Sequence, residues 1–117
     1  MTVKRIVANV AAADPGAGAV FYGEVLGLDT LMDQGWIMTL GADARATVQI
    51  SLASQGGSGT QMPDLSIEVE DVDAVHAAMQ AAGFNAEYGP VDEPWGVRRF
   101  YVRDPFGKLV NILAHAD

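Results

Sequence analysis

The 117-residue chain has no cysteine, which excludes disulfides, thiolate metal sites and a cysteine nucleophile. Histidine, the commonest metal ligand and proton carrier near neutral pH, occurs only twice, as His76 and His115. Basic residues are also few: 7 Lys and Arg stand against 15 Asp and Glu, for a formal charge of −8. The largest basic groups are the pairs Lys4-Arg5 and Arg98-Arg99. Such a surface repels phosphate backbones and anionic lipid, so no nucleic-acid partner and no membrane partner is expected. A diffuse negative field of this kind favours cationic ligands and keeps a chain soluble. No apolar run approaches the roughly 20 residues of a membrane span. Met1 to Arg5 leads straight into strand-like sequence rather than a signal-peptide core, which makes the cytoplasm the expected location. With 50% hydrophobic and 19% charged residues, the composition is that of one globular domain, not a disordered chain.

The hydrophobic pattern then sets out the elements. Lys4 to Val10 alternates as a half-buried strand, with Ile6, Ala8 and Val10 on one face. Asp14-Pro15 is a helix start, Asp as N-cap and Pro at the first helical position, and the helix is predicted to reach Leu26. Gly27 follows as C-cap. Strands are predicted at Asp29 to Met32, Trp36 to Leu40 and Thr47 to Ala53, separated by turns at Gln34-Gly35 and Gly41 to Arg45. The first half, about residues 3–54, thus reads βαβββ. Residues 55–63 contain Gly56, Gly57, Ser58, Gly59 and Thr60 and read as a flexible linker. The order then repeats in a second module, about residues 64–114. Leu65, Ile67 and Val69 alternate in a strand, Asp71 caps a helix through Ala82, and Gly83 ends it. Strands are predicted at Ala86 to Tyr88, Val97 to Arg103 and Lys108 to Leu113, the last two joined by the turn Asp104-Pro105-Phe106-Gly107. Order of elements, rather than residue identity, relates the halves as a divergent duplication within one domain.

The strand faces carry the functional information. An aliphatic set that includes Ile6, Val48, Ile50, Leu65, Ile67, Phe100, Val102, Val110 and Ile112 can cover the helices. The opposite set is mixed, with Gln49, Ser51, Asp64, Ser66, Glu68, Arg99, Tyr101 and Asn111. Such a face is either a solvated sheet surface or a ligand groove, and Trp36, Met38 and Tyr101 on or near it favour the groove. Trp95, after Pro90-Val91-Asp92-Glu93-Pro94, reads as its rim. His76 falls on the apolar stripe of the second helix and His115 in the last three residues, so neither reaches that face. Gly56 to Thr60 has no following Lys at the spacing of a phosphate loop.

Three segments carry a family resemblance. They are Asp14 to Leu28, containing Phe21-Tyr22-Gly23-Glu24-Val25-Leu26-Gly27; Val69-Glu70-Asp71-Val72-Asp73; and Trp95 to Ile112, containing Asp104-Pro105-Phe106-Gly107. Through them the chain resembles the vicinal oxygen chelate superfamily, which includes glyoxalase I, extradiol dioxygenases, fosfomycin-resistance enzymes and bleomycin-resistance proteins. The resemblance implies an α+β fold in which two βαβββ modules form a cup-shaped mixed sheet with helices on its convex side. It also implies a homodimer whose clefts take residues from both subunits. Metal-dependent members place four inward ligands on the first and last strands of the modules, and by register these places fall near Val7, on Gln49 or Ser51, on Asp64 and on Asn111. A hydrocarbon, a weak neutral donor, one carboxylate and an amide make a poor site for a divalent transition metal, so no cofactor is expected.

Two functions are compatible with these residues. The first is a metal-independent protein of the bleomycin-resistance type that holds a drug or metabolite, giving antibiotic resistance or a related protection. Its binding residues would be Trp36, Met38, Gln49, Ser51, Asp64, Ser66, Trp95, Arg99, Tyr101 and Asn111. The second is an enzyme, a lyase, isomerase or dioxygenase, using Asp64, Glu68 and Tyr101 as acid/base groups and Arg99 to hold an oxyanion, or a metal held by an unusual ligand set.

Overall fold

The computed structural model describes residues 2–46 and 48–115. A four-residue 3-10 turn, Pro15–Gly18, runs directly into a wide π-type helix, Ala19–Val25. Together they form the N-terminal helix. With Gly16, Gly18 and Gly23 inside it, the segment loses ordinary α-helical propensity, and its closing bond spans five residues, Leu26 N–H to Phe21 O at 3.2 Å. Asp14 occupies the N-cap position, but its side chain makes no capping bond. The turn is instead closed by the backbone, Ala17 N–H to Asp14 O at 3.0 Å.

A hairpin follows, β1 (Asp29–Asp33) paired antiparallel with β2 (Met38–Gly41). Its second strand begins two residues later than the pattern suggests because the Asp33 carboxylate accepts Gly35 N–H at 3.0 Å and Gln34 N–H reaches Ile37 O at 2.9 Å. Those bonds hold Trp36 in the turn, 78% exposed.

The second half is the expected βαβββ unit. It comprises β3 (Leu65–Glu68), α1 (Val72–Ala81), β4 (Ala86–Asp92), β5 (Val97–Arg103) and β6 (Leu109–His115). Asp71 caps α1, its Oδ1 accepting Ala74 N–H at 3.1 Å. The strands lie in the order β3-β6-β5-β4, with β3 and β6 parallel and the other neighbours antiparallel. β4 continues four residues past the predicted Tyr88 end because register shifts either side of Tyr88 let the chain rejoin β5, pairing Val91 with Arg99.

Phe100 and Val102 on β5 and Val110 and Ile112 on β6 face α1, where Val72 and Met79 meet them. Phe21 from the N-terminal helix completes this cluster, fully buried and edge-on to Phe84 at 5.1 Å. Each such side chain contributes about 1.5–3 kcal/mol when removed from water. A third long-range tie joins the N-terminal helix to the turn between β5 and β6: the Tyr22 hydroxyl donates to Asp104 at 2.6 Å, while Asp104 also accepts Phe106 and Lys108 N–H.

Two expected strands do not form. Residues 4–10 and 48–53 belong to no strand, and most of their apolar side chains lie in solvent, with Ile6 55%, Ile50 77% and Leu52 92% exposed. Thr47, the expected start of the second, lies outside the described residues. The physical reason is visible in the core. A strand is stable only when its backbone is paired and one face is covered. The helix available to cover a first-half sheet packs instead on the second-half core through Phe21. The sheets are therefore open, one of two strands and one of four, rather than curled into a cup. Nor is the 56–60 segment a free tether: Gly57 and Thr60 form a β-bridge, and the turn folds back on β5.

Candidate functional site

The period-2 alternation of β5 places Arg99 and Tyr101 on the face opposite α1. Their neighbour Arg98 points to the helix side, donating to Asp73 at 2.9 and 3.1 Å, and that bond holds the Asp73 carboxyl below its usual range. Arg99 is only 4% exposed and Glu93, at the start of the β4–β5 connection, 7%. The guanidinium donates to Glu93 Oε2 from Nε at 2.8 Å and lies 2.6 Å from the same oxygen through Nη2. Its Nη1 donates to the Tyr101 hydroxyl at 2.9 Å. Three rings surround its central carbon, with centroids at 4.9 Å (Tyr101), 5.0 Å (Trp95) and 5.6 Å (Tyr88), a cation–π cage in a largely desolvated setting.

Glu93 is fully engaged: Ser58 Oγ donates to Oε1 and the Tyr88 hydroxyl to Oε2, each at 3.0 Å. Burial works to raise its pKa, but the hydrogen bonds from Arg99, Ser58 and Tyr88 and the guanidinium charge outweigh burial and hold the carboxyl below its usual range. The 56–60 turn roofs the cluster. Thr60 Oγ1 lies 2.8 Å from the Tyr101 hydroxyl, Tyr101 also donates to Gly56 O at 3.3 Å, and Arg99 Nη2 donates to Gly57 O at 3.4 Å. A side chain at residue 57 would put its Cβ 2.8 Å from the Trp95 ring, so glycine lets the backbone approach this closely.

One strand over, Asn111 pairs in register with Tyr101 and is itself 7% exposed. Its amide donates to Ser66 Oγ at 3.1 Å, and its Oδ1 has no hydrogen-bond partner.

The structure thus gathers Trp95, Arg99 and Tyr101, with Ser66 and Asn111 beside them. Asp64 lies in the bend just before β3, and its carboxylate accepts Leu109 N–H at 2.8 Å. Glu68 pairs with His115 at an exposed sheet end and lines an open groove of about 510 Å³ with Val69, Glu70, Ala114 and His115. Trp36 and Met38 are in the hairpin, and Gln49 and Ser51 are in the unpaired exposed segment, so these four do not join the cluster. His76 packs edge-on to Phe100 at 5.2 Å on the helix side. Tyr88, Glu93, Gly57, Ser58 and Thr60 were not predicted as site residues. For Tyr88 the signal was available, since a strand residue with an aromatic cross-strand partner shares its face.

The polar groups of the cluster are largely engaged with one another. Glu93 is tied to three donors, and the Tyr101 hydroxyl is shared among Arg99, Thr60 and Gly56. The places where the resemblance puts metal ligands fit a divalent metal poorly. Val7 and Gln49 or Ser51 lie on unpaired segments, Asp64 is bonded to backbone, and Asn111 is bonded to Ser66. Among the described residues no group of three or more His, Cys, Asp or Glu is placed to hold an ion.

A family model described as the glyoxalase/bleomycin resistance protein/dioxygenase superfamily matches residues 3–112. The chain belongs to this superfamily. Solved structures agree with the assignment. TioX from Micromonospora sp. is 23% identical with a TM-score of 0.64, over 97% of this chain and 98% of that one. TnmS3 from Streptomyces sp., titled an antibiotic binding protein, is 26% identical with a TM-score of 0.66, over 92% and 91%. A superfamily member from Sphaerobacter thermophilus reaches a TM-score of 0.70 at 19% identity, over 97% and 98%. Among curated proteins, none matches the chain. Among the described residues, no helix is long and apolar enough to cross a membrane.

Proposed function

We propose that this superfamily member is a non-catalytic protein that holds an aromatic drug or metabolite without a metal, working in the cytoplasm. The observation that carries the reading is the cage of Tyr88, Trp95 and Tyr101 around the Arg99–Glu93 pair. Aromatic walls with a few oriented polar groups are what a small-molecule site requires. The likeness to an antibiotic binding protein supports it.

The working unit in this reading is a homodimer. The unpaired segments 4–10 and 48–53 expose Ile6, Val7, Ile50 and Leu52, and unpaired backbone beside apolar side chains is a template for pairing with another chain. Sedimentation analysis checks this, with a concentration-independent monomer as the opposing result.

Binding is tested by tryptophan fluorescence in a Trp36→Phe background, where Trp95 is the remaining indole. A panel of aromatic antibiotics is titrated, and the protein is separately analysed for retained nickel, zinc, manganese and iron. Saturable quenching without metal supports the reading. One equivalent of metal per chain, or turnover of small carbonyl compounds, would overturn it.

A further inference from the structure

The segment above the cage has the properties of a resident ligand rather than a connector. Residues 56–60 form a closed turn, with Gly56 N–H to Thr60 O and Thr60 N–H to Gly57 O both at 2.9 Å. It presents one neutral carbonyl, that of Gly57, to the Arg99 fork at the long distance of 3.4 Å. Its one side-chain anchor to Glu93 is Ser58 Oγ. Ser58 sits at φ 52°, between Gly57 at 85° and Gly59 at 75°, a left-handed backbone that a serine rarely adopts. Besides the Thr60–Tyr101 contact at 2.8 Å and the Tyr101 bond to Gly56 O at 3.3 Å, the cap is held to the Arg99–Glu93 pair by one long hydrogen bond and by a serine on a disfavoured backbone. On the neighbouring strand, in register with Tyr101, lies the buried, unpartnered Asn111 Oδ1, an acceptor that costs stability for as long as nothing donates to it.

Resting on the binding function proposed above, we propose that the 56–60 turn is a displaceable cap, and that the ligand replacing it is a planar aromatic molecule bearing a neutral carbonyl and an N–H or O–H donor. The carbonyl takes the place of Gly57 O on Arg99, and the ring lies along Trp95. The donor satisfies Asn111. Neutral oxygen is preferred over carboxylate because Glu93 already balances the Arg99 charge and the chain carries −8 overall. A cationic ring is disfavoured because the guanidinium offers only donors.

The probes are 2-naphthamide, its donor-free analogue 2-acetonaphthone, 2-naphthoate and 2-naphthylmethylammonium, titrated by calorimetry. Ser58→Ala removes the anchor without adding an atom, and Gly57→Ala disfavours the closed turn. In Ser58→Ala, 2-naphthamide is expected to bind about tenfold more tightly than in the wild type, because apparent affinity scales with the uncapped fraction. Gly57→Ala moves the same way, and Ser58→Ala alone carries the test if Gly57→Ala fails to fold. The naphthoate and the ammonium are each expected to bind at least about tenfold more weakly than the amide. Asn111→Leu removes the preference for 2-naphthamide over 2-acetonaphthone. Unchanged or weaker amide affinity in folded Ser58→Ala overturns the cap. Tighter binding of naphthoate or the ammonium than of the amide overturns the ligand class. In both cases the binding function stands if aromatic antibiotics still quench Trp95. Absence of binding by the naphthalenes and by the antibiotic panel overturns both.

Discussion

Replacing Arg99 by Met probes the cage most directly. The substitution keeps much of the side-chain volume but removes the guanidinium, and with it two contacts to Glu93, one to Tyr101, one to Gly57 O and the three ring contacts. Glu93 is left 7% exposed with only Ser58 and Tyr88 as donors. Removing one partner of a buried ion pair costs about 3–5 kcal/mol. Because two hydrogen bonds remain, the lower end applies, about 3 kcal/mol at pH 7, which is a large share of the roughly 5–15 kcal/mol that keeps a domain folded. Glu93→Gln in the same background removes the orphaned charge, and the double variant is expected to regain about 2 kcal/mol, the coupling typical of groups in direct contact. A second signature comes from pH. Without the cation, burial is opposed only by the Ser58 and Tyr88 hydrogen bonds and the Glu93 carboxyl shifts upward from its depressed position, so the penalty of Arg99→Met shrinks as the pH falls into the carboxylate range. Urea denaturation followed by circular dichroism and by Trp95 fluorescence, with Trp36→Phe throughout, reads both effects. A loss under about 1 kcal/mol, as for an exposed ion pair, together with additive single and double variants, would refute the buried cage.

The wild-type pH profile has a predicted sign. Glu93 has a folded pKa below the ordinary 4.5, so the unfolded chain binds more protons in that window; the stabilisation is complete above about pH 5 and is lost as pH falls through the depressed value. Urea midpoints between pH 3 and 7 should show this slope, shallower in Glu93→Gln. Tyr22 has the opposite sign: burial, then the bond to Asp104, push its pKa well above 10. Its contribution is therefore present below about pH 10 and lost as pH rises beyond it, and Tyr22→Phe should show a flatter alkaline profile. Asp71→Ala removes the bond to Ala74 N–H that caps α1 and is expected to cost about 1 kcal/mol in thermal or urea unfolding.

How much of this could be read from the sequence differs between the two halves for one reason. Alternation tells which side chains can share a face; it does not tell what covers that face. In the second half the two coincide: Leu65 and Ile67 alternate, β3 finds β6 as a parallel neighbour, and α1 covers both. β5 was legible from Val97 to Arg103 because its period-2 pattern separates Phe100 and Val102 from Arg99 and Tyr101. In the first half Ile6, Val48 and Ile50 show the same pattern but lack a covering helix, since Phe21 is committed to the second-half core. The cage shows the same limit. Trp95, Arg99 and Tyr101 were expected on one face, whereas Glu93 and Ser58 were not, because an ion pair six residues apart and a hydrogen bond across 35 residues have no periodic signature. A run of glycine and serine reads as slack chain until a ring such as Trp95 is placed where a Cβ would fall.

The charge of the chain illustrates why a site has to be read locally. A total of −8 suggests cationic ligands, and over distances comparable to the roughly 10 Å screening length it does steer encounters. Inside the cage the balance is different. Arg99 and Glu93 cancel, both are nearly out of water, and the nearest exposed counter-charges act through solvent that weakens them severalfold. With the 56–60 turn displaced as proposed above, an incoming molecule would meet the Arg99 donor that Gly57 O otherwise occupies, the half-exposed Trp95 ring and, on the neighbouring strand, one unsatisfied carbonyl oxygen. In the binding function proposed above, net charge would therefore govern how often ligands arrive and how strongly salt alters that rate, while the hydrogen-bonding pattern of Arg99 and Asn111 would govern which of them stay.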